Sequence, residues 1–273
     1  MKKIVILTGS ELRHTFFRKL VSQSKEISVI NSYCEGQEKS TKSLVKKGES
    51  IANERLRHLS ARSQSERDFF ELFVQSSKDY SNPVNLRYGD INNDNHVQEI
   101  INSNPDLIVS YGCSIINSSL LTIFEGRFIN VHLGLSPYYR GSGTNFWPLV
   151  NNEPEYIGAT FMYIDSGIDT GKIIHQIRPE IFIGDTPHQI GNRFILLMSN
   201  TYKDIIINFD KLKKLPQSLN TNSEKLYREK DFTEESVISM YKNFQTGLVK
   251  EYLKNRIDRC KKVPILQNDS LGV

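Results

Sequence analysis

Short apolar segments recur along the first two thirds of the chain, and stretches with the spacing of amphipathic helices lie between them. The first segment, residues 3–8, is rich in β-branched side chains and ends at Gly9-Ser10, after which a helical pattern runs from Leu12 to Val21. A strand, a tight turn and a helix in this order are typical of a parallel α/β sheet, because parallel strands need crossover connections. The other predicted strands are 27–31, 84–91, 107–112, 128–134, 157–164 and 172–181.

Amphipathic segments between the strands predict helices that cover the sheet. Thr186-Pro187 opens the longest of these patterns, which runs to about Phe209. The other predicted helices are 52–74, 96–102, 115–124 and 145–150. This order of elements predicts the fold class α/β, with a Rossmann-like, mostly parallel sheet flanked by helices.

Two segments depart from the pattern. Residues 32 to about 54 are rich in Lys, Glu, Ser and Gly and predict a long surface loop, whereas residues 211–222 have the Lys, Pro, Ser and Asn content of a linker. Beyond the linker the sequence predicts a short strand and one or two helices, with Thr233 as an N-cap. About sixty residues are few for an independent core. We therefore expect a main domain over 1–210 and a small α+β appendage over 211–273.

Composition adds the expectation of a folded, cytoplasmic protein. Of the 273 residues, 38% are hydrophobic and 24% are charged, which excludes a disordered chain. The net charge of +4 is mild and the basic residues are scattered, which argues against a nucleic-acid partner but suits an anionic substrate. The three cysteines, Cys34, Cys113 and Cys260, show neither metal nor disulfide spacing, and no segment has the ~20 apolar residues of a membrane span. The sequence leaves open whether the protein is a monomer or a homodimer.

Candidate chemistry is concentrated after the strand at 128–134. Asn130 and His132 alternate onto one face at its carboxyl end, where α/β sheets bind their ligands. An imidazole can exchange a proton near neutral pH, and an amide can donate to a developing oxyanion. Alone, each residue is more often structural. The turn DSGIDTG at 165–171 adds two carboxylates and two glycines between two strands, and one carboxylate there could orient the histidine.

Together these pieces resemble the formyltransferase family that uses 10-formyltetrahydrofolate. The resemblance rests on NVH at 130–132, LSPYYRG at 135–141 and DSGIDTG at 165–171, which follow one another in the order and spacing of the family motif. The family includes glycinamide ribonucleotide transformylase, methionyl-tRNA formyltransferase and the sugar N-formyltransferases. Two departures, Leu133-Gly134 and Ser136, change the loop beside the histidine and bear on the acceptor more than on the chemistry.

The resemblance implies an enzyme whose catalytic residues, within 1–210, are Asn130, His132 and Asp169. Direct attack of an amine on the formyl carbon would give an oxyanion, stabilised by the amide and the histidine, while the carboxylate orients the ring and helps to move the proton. Neither a covalent enzyme intermediate nor a metal is implied. The residues implied to hold 10-formyltetrahydrofolate are Tyr111, Gly112, Cys113, Ser114, Ile115, Ile116, Ile164, Asp165 and Gly167. The candidate acceptor residues are Ser10, Arg13, Tyr138, Tyr139, Arg140 and Gly141.

The acceptor stays open between three amines. The Gly-Ser-Asn type of phosphate loop, usual in glycinamide ribonucleotide transformylases, is absent after the first strand. Methionyl-tRNA formyltransferases usually carry a larger C-terminal domain than about sixty residues can supply. The leading hypothesis is therefore the amino group of a nucleotide-linked amino sugar, for surface polysaccharide synthesis. The alternatives are a ribonucleotide or aminoacyl-tRNA amine, or a non-catalytic protein that binds folate or a nucleotide.

Overall fold

The computed structural model describes residues 1–36, 53–116, 118–217 and 224–271. Its strands are β1 (Lys2–Gly9), β2 (Ile27–Gly36), β3 (Val84–Arg87), β4 (Leu107–Tyr111), β5 (Phe128–His132), β6 (Tyr139–Gly141), β7 (Ala159–Tyr163), β8 (Ile173–Ile177) and β9 (Lys225–Tyr227). Its helices are α1 (Leu12–Ser22), α2 (Glu54–Ser76), α3 (Asp94–Ser103), α4 (Ser118–Ile123), α5 (Trp147–Val150), α6 (Pro187–Asn208), α7 (Glu234–Gln245) and α8 (Leu248–Lys262). Short 3₁₀ turns connect several of them.

Seven strands form one sheet in the order β3-β2-β1-β4-β5-β7-β8. The first five of these are mutually parallel, and β7 and β8 continue the sheet in antiparallel pairing. The predicted α/β class, with a Rossmann-like, mostly parallel sheet, is confirmed. Because the order reverses between β1 and β4, the carboxyl ends of β1, β4 and β5 open onto one crevice.

Helices bury both faces of the sheet. Ile4 and Ile6 of β1 pack into a core that includes Phe17 of α1 and Met198 of α6, all fully buried. The alternate residues of β1 face a second core with α3 and α4. A strand buried on both sides explains why the sequence is apolar at consecutive positions rather than at every second one.

Two helix starts carry the caps that their sequences indicate. The Thr186 hydroxyl accepts a hydrogen bond from the Gln189 amide, and Pro187 occupies the first turn of α6. The Thr233 hydroxyl accepts from the Ser236 amide at the start of α7, so the N-cap predicted there is confirmed. Each interaction satisfies an amide that the helix itself leaves unpaired.

Two predictions about local structure are wrong. The surface loop predicted from residue 32 begins too early, because β2 continues to Gly36 and its last residues pair with β3. Residues 37–52 of that predicted loop lie outside the described residues. No strand is predicted between the strand at 128–134 and the helix at 145–150, whereas Tyr139–Gly141 forms strand β6 and pairs in parallel with β9.

The C-terminal segment packs closely on the rest of the chain. Met240 of α7 and Tyr252 of α8 share a third apolar cluster with Leu149, Ile157 and Ile190. Strand β9 reaches further and pairs with β6. The domain boundary at residue 210 remains a prediction. Residues of the C-terminal segment lie beside the crevice. No helix in the described ranges is long and apolar enough to cross a membrane.

Candidate active site

Asn130 and His132 stand at the carboxyl end of β5, on the same face of the strand. The neighbouring strand β4 pairs with β5 so that Ser110 lies opposite Asn130. The Ser110 hydroxyl donates to the Asn130 amide oxygen at 2.9 Å. This bond fixes the amide and leaves its nitrogen as a donor to a group in the crevice.

The His132 ring has an acceptor at each nitrogen. Nε2 lies 2.9 Å from the Tyr139 carbonyl oxygen, and Nδ1 lies 3.2 Å from Oδ2 of Asp169. Both side chains are largely buried, with exposures of 7% and 14%. An imidazolium ring satisfies both acceptors at once, so the pair can hold a proton in the crevice.

Asp169 reaches the histidine because the DSGIDTG turn adopts an unusual backbone. Its φ is 53°, a left-handed conformation that aspartate tolerates better than most residues. The Gln217 side-chain amide donates to the Asp169 carbonyl oxygen at 3.1 Å. The main-chain nitrogen of Gly141 lies 3.4 Å from the Asp169 carboxylate. Arg140 donates to the neighbouring Ile168 carbonyl at 2.8 Å. The turn is thus fixed from outside as well as by its own residues.

Gly134, one of the departures from the family motif, is required by packing beside His132. An ideal Cβ at this position would lie 2.6 Å from His132 Nε2 and 2.7 Å from Thr144 Cβ. The Thr144 hydroxyl donates to the Leu133 carbonyl and closes the loop over the ring. A side chain at Gly134 would therefore displace the histidine.

The three residues open into a cleft of about 840 Å³, within the usual size range of small-molecule sites. A polar stripe on α2, at positions 55, 58, 62 and 66, lines the cleft together with residues of β4, β5, α6 and the C-terminal segment. We define the arginine–aromatic wall as Arg55, His58, Arg62, Phe146, Arg228 and Phe232. Sequence analysis missed these residues as a group. For the wall's three members on α2 the signal was the spacing of 3, 4 and 4 between positions 55, 58, 62 and 66, which places four polar residues, Glu66 included, on one helical face.

Ring contacts connect the members of the arginine–aromatic wall. The rings of His58 and Phe146 are 5.6 Å apart, and those of Phe146 and Phe232 are 5.1 Å apart. The Arg55 guanidinium lies 5.1 Å from the centre of the Phe232 ring. Arg62 donates to Glu66 at 3.1 Å. The wall thus combines flat apolar surfaces with positive charge.

Two histidines of the cleft are held in the neutral form. Burial lowers the pKa of His58 to about 3 and that of His188 to about 4. Their rings are 4.7 Å apart, and the Tyr241 hydroxyl lies 3.1 Å from His58 Nδ1 and 3.4 Å from His188 Nε2. Because Tyr241 takes one nitrogen of each ring, each neutral histidine has one nitrogen left for a ligand and carries no charge.

The residues implied to hold the folate occupy different environments. Tyr111, Gly112 and Cys113 line the cleft beside Asn130, and burial raises the pKa of the Cys113 thiol to about 12, so the sulfur stays neutral. Ser114 bonds to the buried Glu35 carboxylate. Of the others, Ile116 is core, Ile164 is packed against the core, and the Asp165 carboxylate accepts from Gly167 N at 3.0 Å.

The residues implied to hold the folate lie in two segments, one directly after β4 and one at the DSGIDTG turn, and both expose apolar surface that suits a flat ring system. Ile115 and Ile168, one from each segment, are 79% and 58% exposed, although large aliphatic side chains are usually buried. They present apolar surface that a ring could cover. Gly112 and Cys113, directly after β4, line the cleft.

The candidate acceptor residues are more scattered. Ser10 is exposed and does not line the cleft, whereas Arg13 lines it but is bound to the Glu66 carboxylate at 2.9 Å. Tyr138 packs on Tyr156. The Tyr139 ring is 1% exposed, so it is not available for stacking on a ligand, and its carbonyl is the group that reaches His132. Arg140 supports the DSGIDTG turn, and Gly141 lines the cleft.

No group of three or more His, Cys, Asp or Glu side chains in the described part of the chain is arranged to hold a metal ion. The acids and bases of the cleft are committed instead to hydrogen bonds and ion pairs with one another.

A family model described as formyl transferase matches residues 2–206, three quarters of the chain. The chain belongs to the formyl transferase family. The formyl donor of this family is 10-formyltetrahydrofolate, as the resemblance implied.

The relatives of this family member differ in the acceptors that their names state. The chain is 34% identical over 137 residues to methionyl-tRNA formyltransferase of Alkaliphilus oremlandii, a match that covers 49% of this chain and 43% of that protein. The chain thus spans less than half the length of the curated relatives it matches.

Solved structures share the fold. Phosphoribosylglycinamide formyltransferase of Anaplasma phagocytophilum has a TM-score of 0.55 and 15% identity, with 84% of this chain and 98% of that chain covered. A sugar N-formyltransferase from Shewanella has a TM-score of 0.52 and 18% identity, with 85% and 78% covered. These similarities establish the architecture and leave the acceptor to the residues of the cleft.

Proposed function

We propose that the protein transfers a formyl group from 10-formyltetrahydrofolate to the amine of a nucleotide-linked amino sugar, for surface polysaccharide synthesis. The observation that carries this proposal is the cleft itself. It joins Asn130, His132 and Asp169 to the arginine–aromatic wall in one continuous space. The site therefore combines a proton-handling pair with surfaces suited to an anionic, ring-bearing acceptor.

The reacting groups take the following roles. When bound, 10-formyltetrahydrofolate supplies the formyl carbon that the acceptor amine attacks. The Asn130 amide nitrogen is the donor for the negative charge that develops on the formyl oxygen, and one such donor is worth about 2.7–4 kcal/mol in the transition state. A protonated His132, whose two N–H groups are taken by the Tyr139 carbonyl and by Asp169, adds a positive charge that stabilises the same oxygen. Asp169, 3.2 Å from the histidine, orients the ring and accepts the proton that the amine loses. The bond between the formyl carbon and the folate nitrogen then breaks, and that nitrogen takes up the proton, so that tetrahydrofolate is the leaving group.

The arginine–aromatic wall supports a nucleotide as the handle of the acceptor. Arg55 and Arg228 can pair with phosphate oxygens, and guanidinium groups bind such oxygens in a bidentate fashion, whereas Arg62 is already paired with Glu66. The Phe146 and Phe232 rings give flat apolar surface on which a base can stack. A free amino sugar would use neither feature.

The first turn of the fold argues against the ribonucleotide alternative. Helix α1 begins at Leu12 with the acidic Glu11 as its N-cap, and a carboxylate there repels a phosphate that would otherwise bind the helix N-terminus. Ser10 lies outside the cleft, and Arg13 is paired with Glu66. The phosphate groups of the acceptor therefore belong at the wall and not at this turn.

An acceptor panel tests the reaction. Full-length protein is incubated with 10-formyltetrahydrofolate and with TDP-, UDP- and GDP-linked amino sugars, glycinamide ribonucleotide or methionyl-tRNA in turn. Release of tetrahydrofolate and a mass gain of one formyl group on a nucleotide-linked sugar are expected. Transfer to one of the other two amines alone would contradict the proposed acceptor, and no transfer to any acceptor would contradict the enzymatic function.

A binding measurement tests the role of the wall. Trp147 is the only tryptophan of the chain and lines the cleft, so its fluorescence should change on titration with TDP, UDP or GDP. Arg55→Ala should weaken binding by about 10- to 100-fold, since a charge-assisted hydrogen bond is worth about 1.5–3 kcal/mol. Arg57→Ala, an exposed arginine on the same helix, is the matched control. Equal affinities for both variants would exclude Arg55 from the nucleotide site.

A further inference from the structure

One short strand touches both members of the His132–Asp169 pair. The Tyr139 carbonyl, at the start of β6, accepts from His132 Nε2 at 2.9 Å. The Gly141 amide, at the end of β6, lies 3.4 Å from the Asp169 carboxylate. The relative position of the two catalytic side chains therefore depends on where the β6 backbone lies.

The C-terminal segment holds this backbone. Strand β9 pairs with β6 so that Tyr227 lies opposite Gly141. The Lys225 amide donates to the Tyr138 carbonyl at 2.8 Å, and the Ser142 amide donates to the Tyr227 carbonyl at 2.9 Å. The fit is close, because any Cβ at Gly141, whose φ is 88°, would overlap the Tyr227 carbonyl.

The Tyr227 side chain adds a second attachment. Its ring stacks on Trp147 at 4.1 Å and 6°, and lies parallel to the Tyr139 ring at 6.0 Å and 10°. Its hydroxyl accepts from the Asn151 amide at 2.9 Å, and the same amide donates to the Tyr139 hydroxyl at 2.8 Å. Main chain and side chain thus fix β6 from the same direction.

Tyr227 itself does not contact the reacting groups. It is absent from the lining of the cleft, whereas the next residue, Arg228, and the nearby Phe232 belong to the arginine–aromatic wall. A single short segment, 225–232, therefore adjoins both the catalytic pair and the surface assigned to the acceptor.

We infer that Tyr227 is a positioning residue: by fixing β6, it sets the distance and orientation of His132 relative to Asp169. The inference rests on the proposed function for its kinetic consequence. A displacement of β6 by about 1 Å would move the Tyr139 carbonyl and the Gly141 amide away from their partners, and misplacement on this scale can cost about 10²-fold in rate.

The test compares Tyr227→Ala with Tyr227→Phe in the full-length protein. The alanine variant loses the stack on Trp147 and should lower kcat by about 10- to 100-fold, with KM for the acceptor changed less than kcat. The phenylalanine variant keeps the ring and should retain most of the rate. Leu226→Ala is the matched control, because Leu226 lies next to Tyr227 on β9, is 56% exposed and does not line the cleft.

A spectroscopic arm separates this inference from the proposed function. ¹⁵N shifts of the six histidine rings report protonation and tautomer, and the His132→Asn variant identifies the relevant signals. The His132 shifts and their pH profile should change in Tyr227→Ala and stay unchanged in Leu226→Ala. This result is expected even if no acceptor in the panel is formylated, so the two proposals can fail independently.

Two outcomes would overturn the inference. One is a folded Tyr227→Ala variant with unaltered kcat and unaltered His132 shifts. The other is a loss of activity that only follows a loss of folded protein, with normal kcat per folded molecule. If the alanine variant does not fold, Tyr227→Leu keeps apolar packing without the stack and is judged by the same readouts.

Discussion

The His132 ring is fixed by a main-chain carbonyl on one side and by the Asp169 carboxylate on the other. The first contact is part of the β6 backbone, and the second depends on a turn with a left-handed aspartate. Sequence reasoning named the two side chains but not the carbonyl, since backbone partners leave no residue-specific signal. At the residue scale, the motif therefore identifies the catalytic side chains but not the backbone carbonyl that holds one of them.

Asp169→Asn is the direct test of the carboxylate. The amide keeps the shape of the side chain but carries no charge and cannot accept the proton of the amine, so kcat should fall by at least ~10²-fold. Initial rates of tetrahydrofolate release with the active acceptor measure the loss. Asp258→Asn, at an exposed position of α8, should keep the wild-type rate. A folded Asp169→Asn variant with full activity would remove Asp169 from the mechanism.

Arg13 lies in the cleft as predicted, but its side chain pairs with Glu66. Arg13 is one of the candidate acceptor residues predicted from the sequence, and it does line the cleft. Its guanidinium is nevertheless bound to the buried Glu66, which also accepts from Arg62. Burial raises the pKa of Glu66, but the two guanidinium groups outweigh it and leave the pKa below its usual value. The partner is 53 residues away, which no local pattern could indicate.

At the scale of elements, β2 shows why a strand can extend beyond the apolar residues that predict it. The predicted strand ends at Asn31 because residues 32 to about 54 are rich in Lys, Glu, Ser and Gly, but the strand continues to Gly36. Glu35 is 2% exposed and is satisfied by amides from two other loops, those of Gly89 at 2.9 Å and Ser114 at 2.6 Å. A buried carboxylate with such partners is compatible with a core strand, and the partners become visible only in three dimensions.

Glu35 also connects β2 to the loop implied to hold the folate. The Gly89 and Ser114 amides donate to different oxygens of Glu35, so Glu35→Gln places its NH2 group against an N–H donor on one side and should loosen the loop that begins at Gly112. We expect KM for 10-formyltetrahydrofolate to rise by about 10-fold, corresponding to about 1.4 kcal/mol, while kcat changes less. Steady-state kinetics with varied donor concentration measure both parameters. Glu26→Gln, at an exposed position before β2, is the control, and an unchanged KM in Glu35→Gln would exclude this support of the donor site.

Long-range pairing accounts for β6, the strand that sequence reasoning missed. The β1, β4 and β5 segments are apolar and flanked by turns, so each is recognisable alone. Strand β6 has three residues, and its partner β9 lies 86 positions later. A three-residue strand has no periodicity to detect, and its pairing depends on packing of the whole C-terminal segment.

At the scale of the whole molecule, the C-terminal segment covers an edge of the sheet as well as supporting the site. The main-chain nitrogen of Asn268 donates to His175 Nδ1 of β8 at 3.0 Å. The side-chain amide of Asn268 donates to the Ile174 carbonyl at 2.8 Å. The Leu266 amide donates to the Gln176 side chain at 2.9 Å. Covering β8 in this way protects an edge strand from pairing with another chain. The protection requires a neutral His175, since the ring must accept a hydrogen bond at Nδ1.

Acid should therefore destabilise the whole fold over a defined pH range. Burial lowers the pKa of His175 and of His188 to about 4 and that of His58 to about 3, whereas the unfolded value is about 6.5. Below pH 6.5 the unfolded state binds more protons than the folded state. The free energy of unfolding therefore has its full value above pH 6.5 and falls as the pH decreases toward 4. Each histidine contributes a slope of about 1.4 kcal/mol per pH unit within the range.

Thermal unfolding between pH 7.5 and 4.5 measures this slope. The melting temperature should fall steadily below pH 6.5, and His175→Gln should reduce the slope, because a glutamine oxygen can accept from Asn268 without titrating in this range. His96→Gln, in α3 and away from β8, is the control and should leave the slope unchanged. A wild-type melting temperature that stays constant from pH 6.5 to 4.5 would contradict the assignment of neutral, buried histidines to the folded state.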